Sequence, residues 1–299
     1  MARRGHLVLR IVAGCSLLAG VMVGAVLPAP AETPTIVVHK VDEGSFNPER
    51  TDLLFVLVVG TDFRPGVDGH RADAIHLVGI DPVRKAGTIL NIPRDTYVAI
   101  PGHGSNKINS ANTFGGAPLM AATVSGLTGI QPHFVVTTDF AGFTGMVDEL
   151  EGVTVDVPVR MADSASGAFF EPGPIKMDGT AALAFSRNRH IPGGDFARTS
   201  NQGQLIQSAL AELRSDGTKP AAVVRYLGVL LRHASIHEMS VPELFRLGRL
   251  VLSIDPGAIR NITMPGAVGS AGAASVVHPA PPAAGVFADL ADNATLENF

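Results

Sequence analysis

The sequence contains no tryptophan, two tyrosines and a single cysteine. One cysteine excludes a disulfide within the chain and any Cys-based metal site. It is Cys15, inside the N-terminal apolar segment. A domain exported beyond that segment must therefore fold on its core alone, which a chain of 299 residues can do. The shortage of Trp and Tyr argues against a base-stacking or carbohydrate platform. Basic charge is not in excess: 23 Lys and Arg against 27 Asp and Glu give a net charge of -4. That balance excludes a general nucleic-acid binder and confines any anion site to a local arginine cluster. G-x-S-x-G, the Walker A pattern and G-x-G-x-x-G are all missing, so serine hydrolases, P-loop NTPases and dinucleotide folds lack their marks. No H-E-x-x-H spacing occurs, and His70, His76, His103 and His190 are expected in loops or at the surface.

Apolar residues, by contrast, make up 46% of the chain and charged ones 17%, enough to support a sizeable core. Arg3, Arg4 and Arg10 precede an apolar run from Ile11 to Leu27, and Ala29-Pro30-Ala31 follows as an A-x-A-like site. Two readings of residues 1–31 stand side by side: an uncleaved membrane anchor with its arginines left inside, or a cleaved signal peptide. The "VAGC" at 12–15 imitates a lipoprotein box, but the apolar run continues past the cysteine, which is wrong for that signal. Either reading puts the rest of the chain outside the cytoplasm, the first of them at the cell membrane. Residues 32–50 read as a polar linker with one short strand at "TIVVH".

From 53 onward, buried strands alternate with helices. "LLFVLVVG", "AIHLVGID", "GTILNI" and "HFVVTTDF" are continuous apolar runs of strand length, and "DPVRKAG" forms a hairpin turn between the second and third. "PGHGSNKIN" reads as a loop, and the helix "SANTFGGAPLMAATVSGLTG" has a Gly-Gly break. "VTVDVPV" is a strand near an edge, and 160–176 an irregular loop. Helices follow at "MDGTAALAFSRNR", "FARTSNQGQLIQSALAELR", "PAAVVRYLGVLLRHA" and "SVPELFRLGRLVLSI". "RNITMPG" is a last strand, "GSAGAASVVHPAPPAAG" a loose segment and "VFADLADN" one final helical turn. The pattern predicts an α/β fold: a mixed central sheet sandwiched between helices, forming one extracytoplasmic domain over 51–291 with a short tail at 292–299.

Charge gathers at the ends of these apolar elements. "VVGTDFRPG" carries Asp62 and Arg64, "HRADA" carries Arg71 and Asp73, and "IPRDTY" carries Arg94 and Asp95. "SRNRHIPGGDFARTSNQGQ" carries Arg187, Arg189, Asp195, Arg198 and Gln202. Arg71, Arg94, Arg187, Arg189 and Arg198 flank apolar segments without matching acid runs. If they converge, they need a polyanion to neutralise them. Two aspartates beside them suit Mg²⁺, which takes one or two carboxylates and completes its shell with phosphate oxygens. Such a set makes a pyrophosphate site, and apolar residues around 53–59 and 114–150 are candidates to line a lipid pocket.

Taken in order, G-x-D-x-R, R-x-D, I-P-R-D-T-Y-V, K-I-N-x-A, G-G, R-x-R, D-F-x-R and Q resemble the LytR-CpsA-Psr family, over about 51–215 and onward to about 291. The resemblance implies a Mg²⁺-dependent phosphotransferase. Such an enzyme moves a glycopolymer from a polyprenyl-pyrophosphate carrier onto peptidoglycan. By motif position it implies that Asp62 and Asp73 hold the metal and that Arg71, Arg94, Arg187, Arg189 and Arg198 bind the pyrophosphate. It also implies that Asp95 orients an arginine and that Gln202 contacts the head group. The last motif departs from the family's usual D-F-x-R-x-x-R-Q-Q, because Asn201 and Gly203 stand where the second Arg and second Gln are expected. A non-catalytic binder of the lipid-linked carrier and a polyprenyl-pyrophosphate phosphatase are the two rival readings.

Overall fold

The computed structural model describes residues 36–41, 52–62, 71–215, 220–237 and 239–299, all within the compact unit Pro34–Phe299. The anchor-or-signal segment and the loop with Arg64 and His70 lie outside the described residues.

In chain order, β1 (Ile36–Lys40), β2 (Leu54–Thr61), β3 (Ala72–Asp81) and β4 (Ala86–Asn91) come first. The hairpin β5 (Tyr97–Ile100) and β6 (Gly104–Lys107) leads into α1 (Ser110–Thr128). Next come β7 (Phe134–Thr138), α2 (Phe140–Glu149), β8 (Val153–Val157), β9 (Met161–Asp163), β10 (Ala168–Phe170) and β11 (Gly173–Met177). Then follow α3 (Gly179–Arg187), α4 (Gly194–Ser215), α5 (Pro220–His233), β12 (Ala234–His237) and α6 (Val241–Ser253). The chain closes with β13 (Ile259–Thr263), β14 (Gly266–Ala271), β15 (Ala274–Pro279) and α7 (Pro282–Asn293).

Seven strands form one mixed sheet in the order β12-β1-β7-β2-β3-β4-β13. The pairs β12/β1, β7/β2 and β4/β13 are parallel and the other neighbours antiparallel. This is the expected α/β sandwich. The period of two along β2 decides what each face does. Leu57 and Val59 point to one face and pack with Met120 and Val124 of α1 and Val286 and Leu290 of α7. Leu54 and Val56 point to the other, toward Leu210 of α4 and Leu250 of α6. The β3–β4 hairpin is held by Asp81, whose Oδ1 accepts from the backbone N–H groups of Val83 (2.8 Å) and Arg84 (2.9 Å). Among the described residues no helix is long and apolar enough to cross a membrane.

Several elements differ from the sequence reading. The strand in the polar stretch before 50 is an integral sheet member, β1, between β7 and β12. "PGHGSNKIN" contains the second strand of a hairpin, because Gly102 and Gly104 at φ 76° and 69° let the chain reverse there. Residues 160–176 contain β9, β10 and most of β11; these strands are too short and too exposed for alternation to stand out. The segment read as loose forms the β14–β15 hairpin, and the final turn is a helix of 12 residues. In α1 the Gly115-Gly116 break is present, both residues having non-helical torsions.

Candidate active site

Three chain segments bring charge to one end of the sheet. The first is the end of β2, where the register against β3 shifts at Gly60/Thr61 and the pairing stops. Asp62 sits just beyond, its N–H donating to the carbonyl of Arg71 (3.3 Å). Asp73, at the start of β3, is its neighbour on the same cavity wall.

The second is the end of β4. Pro93 cannot donate to a ladder, and its carbonyl accepts from the N–H (3.0 Å) and hydroxyl (2.5 Å) of Thr96 instead. The turn this makes is pinned from both sides. The N–H of Asn109 donates to the carbonyl of Arg94 (3.2 Å), and that of Val277 to the carbonyl of Asp95 (2.9 Å). Arg94 is thereby held on a rigid support, as a preorganised anion site requires.

The third is the α3–α4 junction. Asp178 caps α3 by accepting from Ala181 N–H (2.8 Å). The helix ends at Arg187, whose guanidinium lies 5.2 Å from the centroid of the Phe140 ring. Asp195 then starts α4 and reaches Arg198 one turn on, at 3.1 Å.

These segments meet over a cavity of about 690 Å³ between the sheet face of Val56 and Val58 and helices α2 to α4. The size is that of a ligand site. Its body is apolar: Phe143, Val147 and Leu150 from the α2 segment, and Leu205, Ile206 and Leu210 from α4. Asp62, Asp73, Arg94, Arg187, Arg189, Arg198 and Gln202 all line it. The α2 part of the stretch 114–150 does line the cavity. Helix α1 is buried on the other face, and the large share from α4 was not expected.

Within the cluster Arg94 pairs with Asp73 (2.5 Å) and reaches Asp195 at 3.8 Å. Burial disfavours the Arg94 charge, but Asp73, then Asp195 and Asp95, outweigh it and raise its pKa above the usual value. Arg198, 5% exposed, is lowered by burial, with Asp195 opposing and the nearby Arg94 charge adding to the effect. Two guanidiniums thus share one aspartate, and neither Nε makes a hydrogen bond among the described residues. Buried donors left open in this way need an acceptor. Gln202 donates to the carbonyl of Ser186 (3.0 Å) and leaves its own Oε1 without a partner. At the mouth, His190 is exposed and paired with Asp163 (2.9 Å). The Ser166 hydroxyl above all, with the Ala165 N–H and His190, holds Asp163 down to about 2.

Two expected roles are redistributed. Among the described residues Asp95 pairs with Lys107 (2.9 Å) and not with an arginine, and Asp73 and Asp195 hold Arg94. Arg71 does not line the large cavity; it is exposed and lines a second hollow beside Lys107. His76 is the clearest miss, being 2% exposed within the cavity wall rather than at the surface. A histidine inside the run "AIHLV" was the available signal.

Behind His76 is a chain of amides. Its Nδ1 lies 2.7 Å from Asn91 Oδ1. Asn91 Nδ2 donates to Asn261 Oδ1 (2.6 Å) and to the Ile262 carbonyl (3.0 Å), and Asn261 Nδ2 donates to the Ser200 carbonyl (3.0 Å). Gly203 belongs to this network: a Cβ there would lie 2.2 Å from both Asn91 Oδ1 and Asn261 Oδ1. The glycine in place of a glutamine is therefore required by the amides that α4 rests on. Asn201, also buried, leaves its Nδ2 without a partner among the described residues and supplies no second cation.

Can these residues hold a metal? No cluster of three or more His, Cys, Asp or Glu with metal-site geometry occurs among the described residues. Asp62 Oδ1, however, is buried without a hydrogen-bond partner among them, and Asp73 keeps one oxygen beyond its bond to Arg94. Two hard carboxylates at the mouth of an anion cluster fit Mg²⁺, which relies on substrate oxygens for the rest of its shell.

Comparison with known proteins bears on the fold and the family. The regulatory protein MsrR of Staphylococcus aureus is 37% identical over 160 residues, covering 53% of this chain and 48% of MsrR. The polyisoprenyl-teichoic acid–peptidoglycan teichoic acid transferase TagU of Oceanobacillus iheyensis is 37% identical over 186 residues, covering 59% and 57%. The chain spans about half the length of these curated relatives. In solved structures the fold is that of B. subtilis TagV, with a TM-score of 0.70 at 24% identity over 83% of this chain and 99% of that one. It is also that of TagT with bound octaprenyl pyrophosphate lipid, at 0.65 and 22% identity over 89% and 98%. The LytR_cpsA_psr family model matches residues 30–285, and the chain belongs to the LytR-CpsA-Psr family.

Proposed function

We propose that this protein is a phosphotransferase that moves a glycopolymer from a polyprenyl-pyrophosphate carrier to a peptidoglycan hydroxyl. The observation that carries the reading is the union of an apolar cavity with a cluster of arginines at one end, two of which keep a buried Nε without an acceptor among the described residues. A prenyl pyrophosphate has the same two parts in the same order. The names of the relatives support it, since TagU is called a teichoic acid transferase and TagT was solved with octaprenyl pyrophosphate.

The prenyl chain fills the space between Val56, Val58 and α4, and the diphosphate meets Arg94, Arg198, Arg187 and Arg189. The acceptor oxygen bonds to the glycan-side phosphorus as the bridging P–O bond breaks. The hydroxyl proton passes to solvent and polyprenyl phosphate leaves. Negative charge grows on that leaving group, and fixed guanidiniums in a low-dielectric cavity stabilise it more than water does. Asp195 and Asp73 keep Arg94 and Arg198 in place before substrate arrives. Asp62 and Asp73 would hold Mg²⁺, which supplies further neutralisation of the diphosphate. An outward-facing domain tethered by the N-terminal apolar segment fits both substrates.

The test is turnover of a labelled lipid-linked glycan by the full-length protein with Mg²⁺, with and without peptidoglycan. Transfer only when peptidoglycan is present supports the reading. Equal release into water makes the protein a phosphatase, and retention without cleavage makes it a binder.

A further inference from the structure

Arg187, Arg189 and His190 stand in one short segment, and all three line the cavity. The arginines meet the diphosphate, which leaves the histidine without a role. Its setting is nevertheless built from two sides. The His190 N–H donates to Oδ1 of the fully buried Asn188 (2.8 Å). The ring Nδ1 lies 2.9 Å from Oδ1 of Asp163, at the end of β9. Asp163 is itself buried and fixed. The Ala165 N–H donates to its Oδ1 (3.0 Å), and the N–H (3.3 Å) and hydroxyl (2.6 Å) of Ser166 donate to its Oδ2. Those bonds hold the turn between β9 and β10 without help from the histidine.

An ionised carboxylate can only accept a hydrogen bond. Asp163 stays ionised well below neutral pH. The Nδ1 of a neutral His190 therefore carries the hydrogen, and Nε2 keeps its lone pair. That nitrogen has no partner among the described residues. The side chain is 57% exposed at the mouth, where an acceptor arrives from solvent. Asp163 is the one charged group paired with the ring among the described residues, and Arg187 and Arg189 share its cavity. Apart from Asp62, which the transfer reaction gives to the metal, the other candidate bases of the cavity are committed. Asp73 pairs with Arg94, Asp139 caps α2 by accepting from the Gly142 N–H (2.8 Å), and Glu212 pairs with Lys176. His76 is buried in the wall.

We propose that His190 is the general base of the transfer, taking the proton of the acceptor hydroxyl at Nε2 while Asp163 orients the ring. The acceptor O–H bond breaks, and its proton moves to Nε2. The freed electron pair forms the new O–P bond at the glycan-side phosphorus. The bridging P–O bond breaks, and its pair leaves on polyprenyl phosphate. The imidazolium then gives its proton to solvent, which restores the neutral ring. His190 is the residue after Arg189, and consecutive Cα atoms are about 3.8 Å apart. The base thus stands beside a guanidinium that meets the diphosphate. The inference rests on the transferase reading.

The experiment follows transfer of a labelled lipid-linked glycan to peptidoglycan by the full-length protein as a function of pH. His190→Gln keeps an N–H for Asp163 but does not titrate. His190→Arg keeps the ion pair but cannot accept a proton. An exposed pair contributes little to stability, so both variants melt as the wild type does. The expected result is a kcat lowered about 10²- to 10⁴-fold in each, with the KM for the donor unchanged. The fall in rate toward low pH, present in the wild type, should vanish in both, and added imidazole should restore part of the rate in His190→Ala. A pair that serves only the fold forecasts a fully active His190→Arg and no response to imidazole, and that result overturns the proposal. An Asp163→Asn protein with the wild-type kcat overturns it too. If the wild type releases glycan only into water, the transferase reading falls and the same variants decide the base on hydrolysis. A wild type that cleaves nothing overturns both.

Discussion

Protonation of His76 provides a sharp test of the cavity wall. Asn91 Nδ2 is committed to Asn261 and Ile262, so Asn91 Oδ1 faces the imidazole and accepts from Nδ1. Burial keeps His76 neutral, because a second proton would put charge on a ring that is 2% exposed. Burial is the main reason that its pKa falls from 6.5 to about 4; Asn91 acts in the opposite direction and the Arg198 charge in the same one. The sign follows from linkage. Below about pH 6.5 the unfolded chain takes a proton that the folded chain refuses until about pH 4. Stability is thus unaffected above 6.5, declines as pH falls from 6.5 to 4, and is flat below. A gap of that width is worth about 3 kcal/mol. His76→Gln keeps an N–H for Asn91 but does not titrate. Urea melts of both proteins between pH 7.5 and 4 should show the wild type losing about 3 kcal/mol relative to the variant. Parallel profiles would refute the neutral, buried histidine.

Other perturbations give separate outcomes. Gly203→Ala forces a Cβ against two amide oxygens, and overpacking of this kind should destabilise the fold by about 1–3 kcal/mol, read as a lowered denaturation midpoint; an unchanged midpoint would mean that α4 does not rest on Asn91 and Asn261. Asp62→Ala removes a carboxylate whose Oδ1 has no described partner, so it should abolish Mg²⁺-dependent turnover while unfolding stays cooperative. Full activity of that variant without magnesium would remove Asp62 from the metal site. A reporter fused after Phe299 should be active only outside the cytoplasm, and cytoplasmic activity would contradict the topology.

Much of the site was legible because its residues sit where apolar runs stop. "LLFVLVVGTD" and "GTILNIPRD" mark strand ends unambiguously, and strand ends in α/β sheets are where ligands bind. Asp62 and Arg94 could be singled out that way. Partners could not. Asp73 and Asp95 both lie near Arg94, in space or in sequence, and only the turn fixed by Asn109 and Val277 sends one to Arg94 and the other to Lys107. Arg71 and Arg94 carry the same charge, yet the turn separates the spaces they line. His76 was misread because a lone histidine in an apolar strand depends on what stands behind it, and Asn261 is 185 residues further along a chain whose register sequence alone does not give. The short hairpins β9–β10 and β14–β15 were missed for a related reason. They gain their order from neighbours such as α3 and β5, and carry little local pattern of their own.

Arg94 tests the central claim most directly. If its guanidinium holds a desolvated diphosphate, Arg94→Ala removes a charge-assisted donor from the developing anion, at a cost of about 3 kcal/mol or roughly a hundredfold in rate. Arg94→Lys should also be slow, since an ammonium keeps the charge but loses the two-pronged geometry. Transfer rate and melting temperature measured together on both variants decide the matter. The account predicts slow transfer in both. An Arg94→Ala protein that transfers at the wild-type rate, whatever its melting temperature, would reduce Arg94 to a partner for Asp73 and contradict the pyrophosphate site.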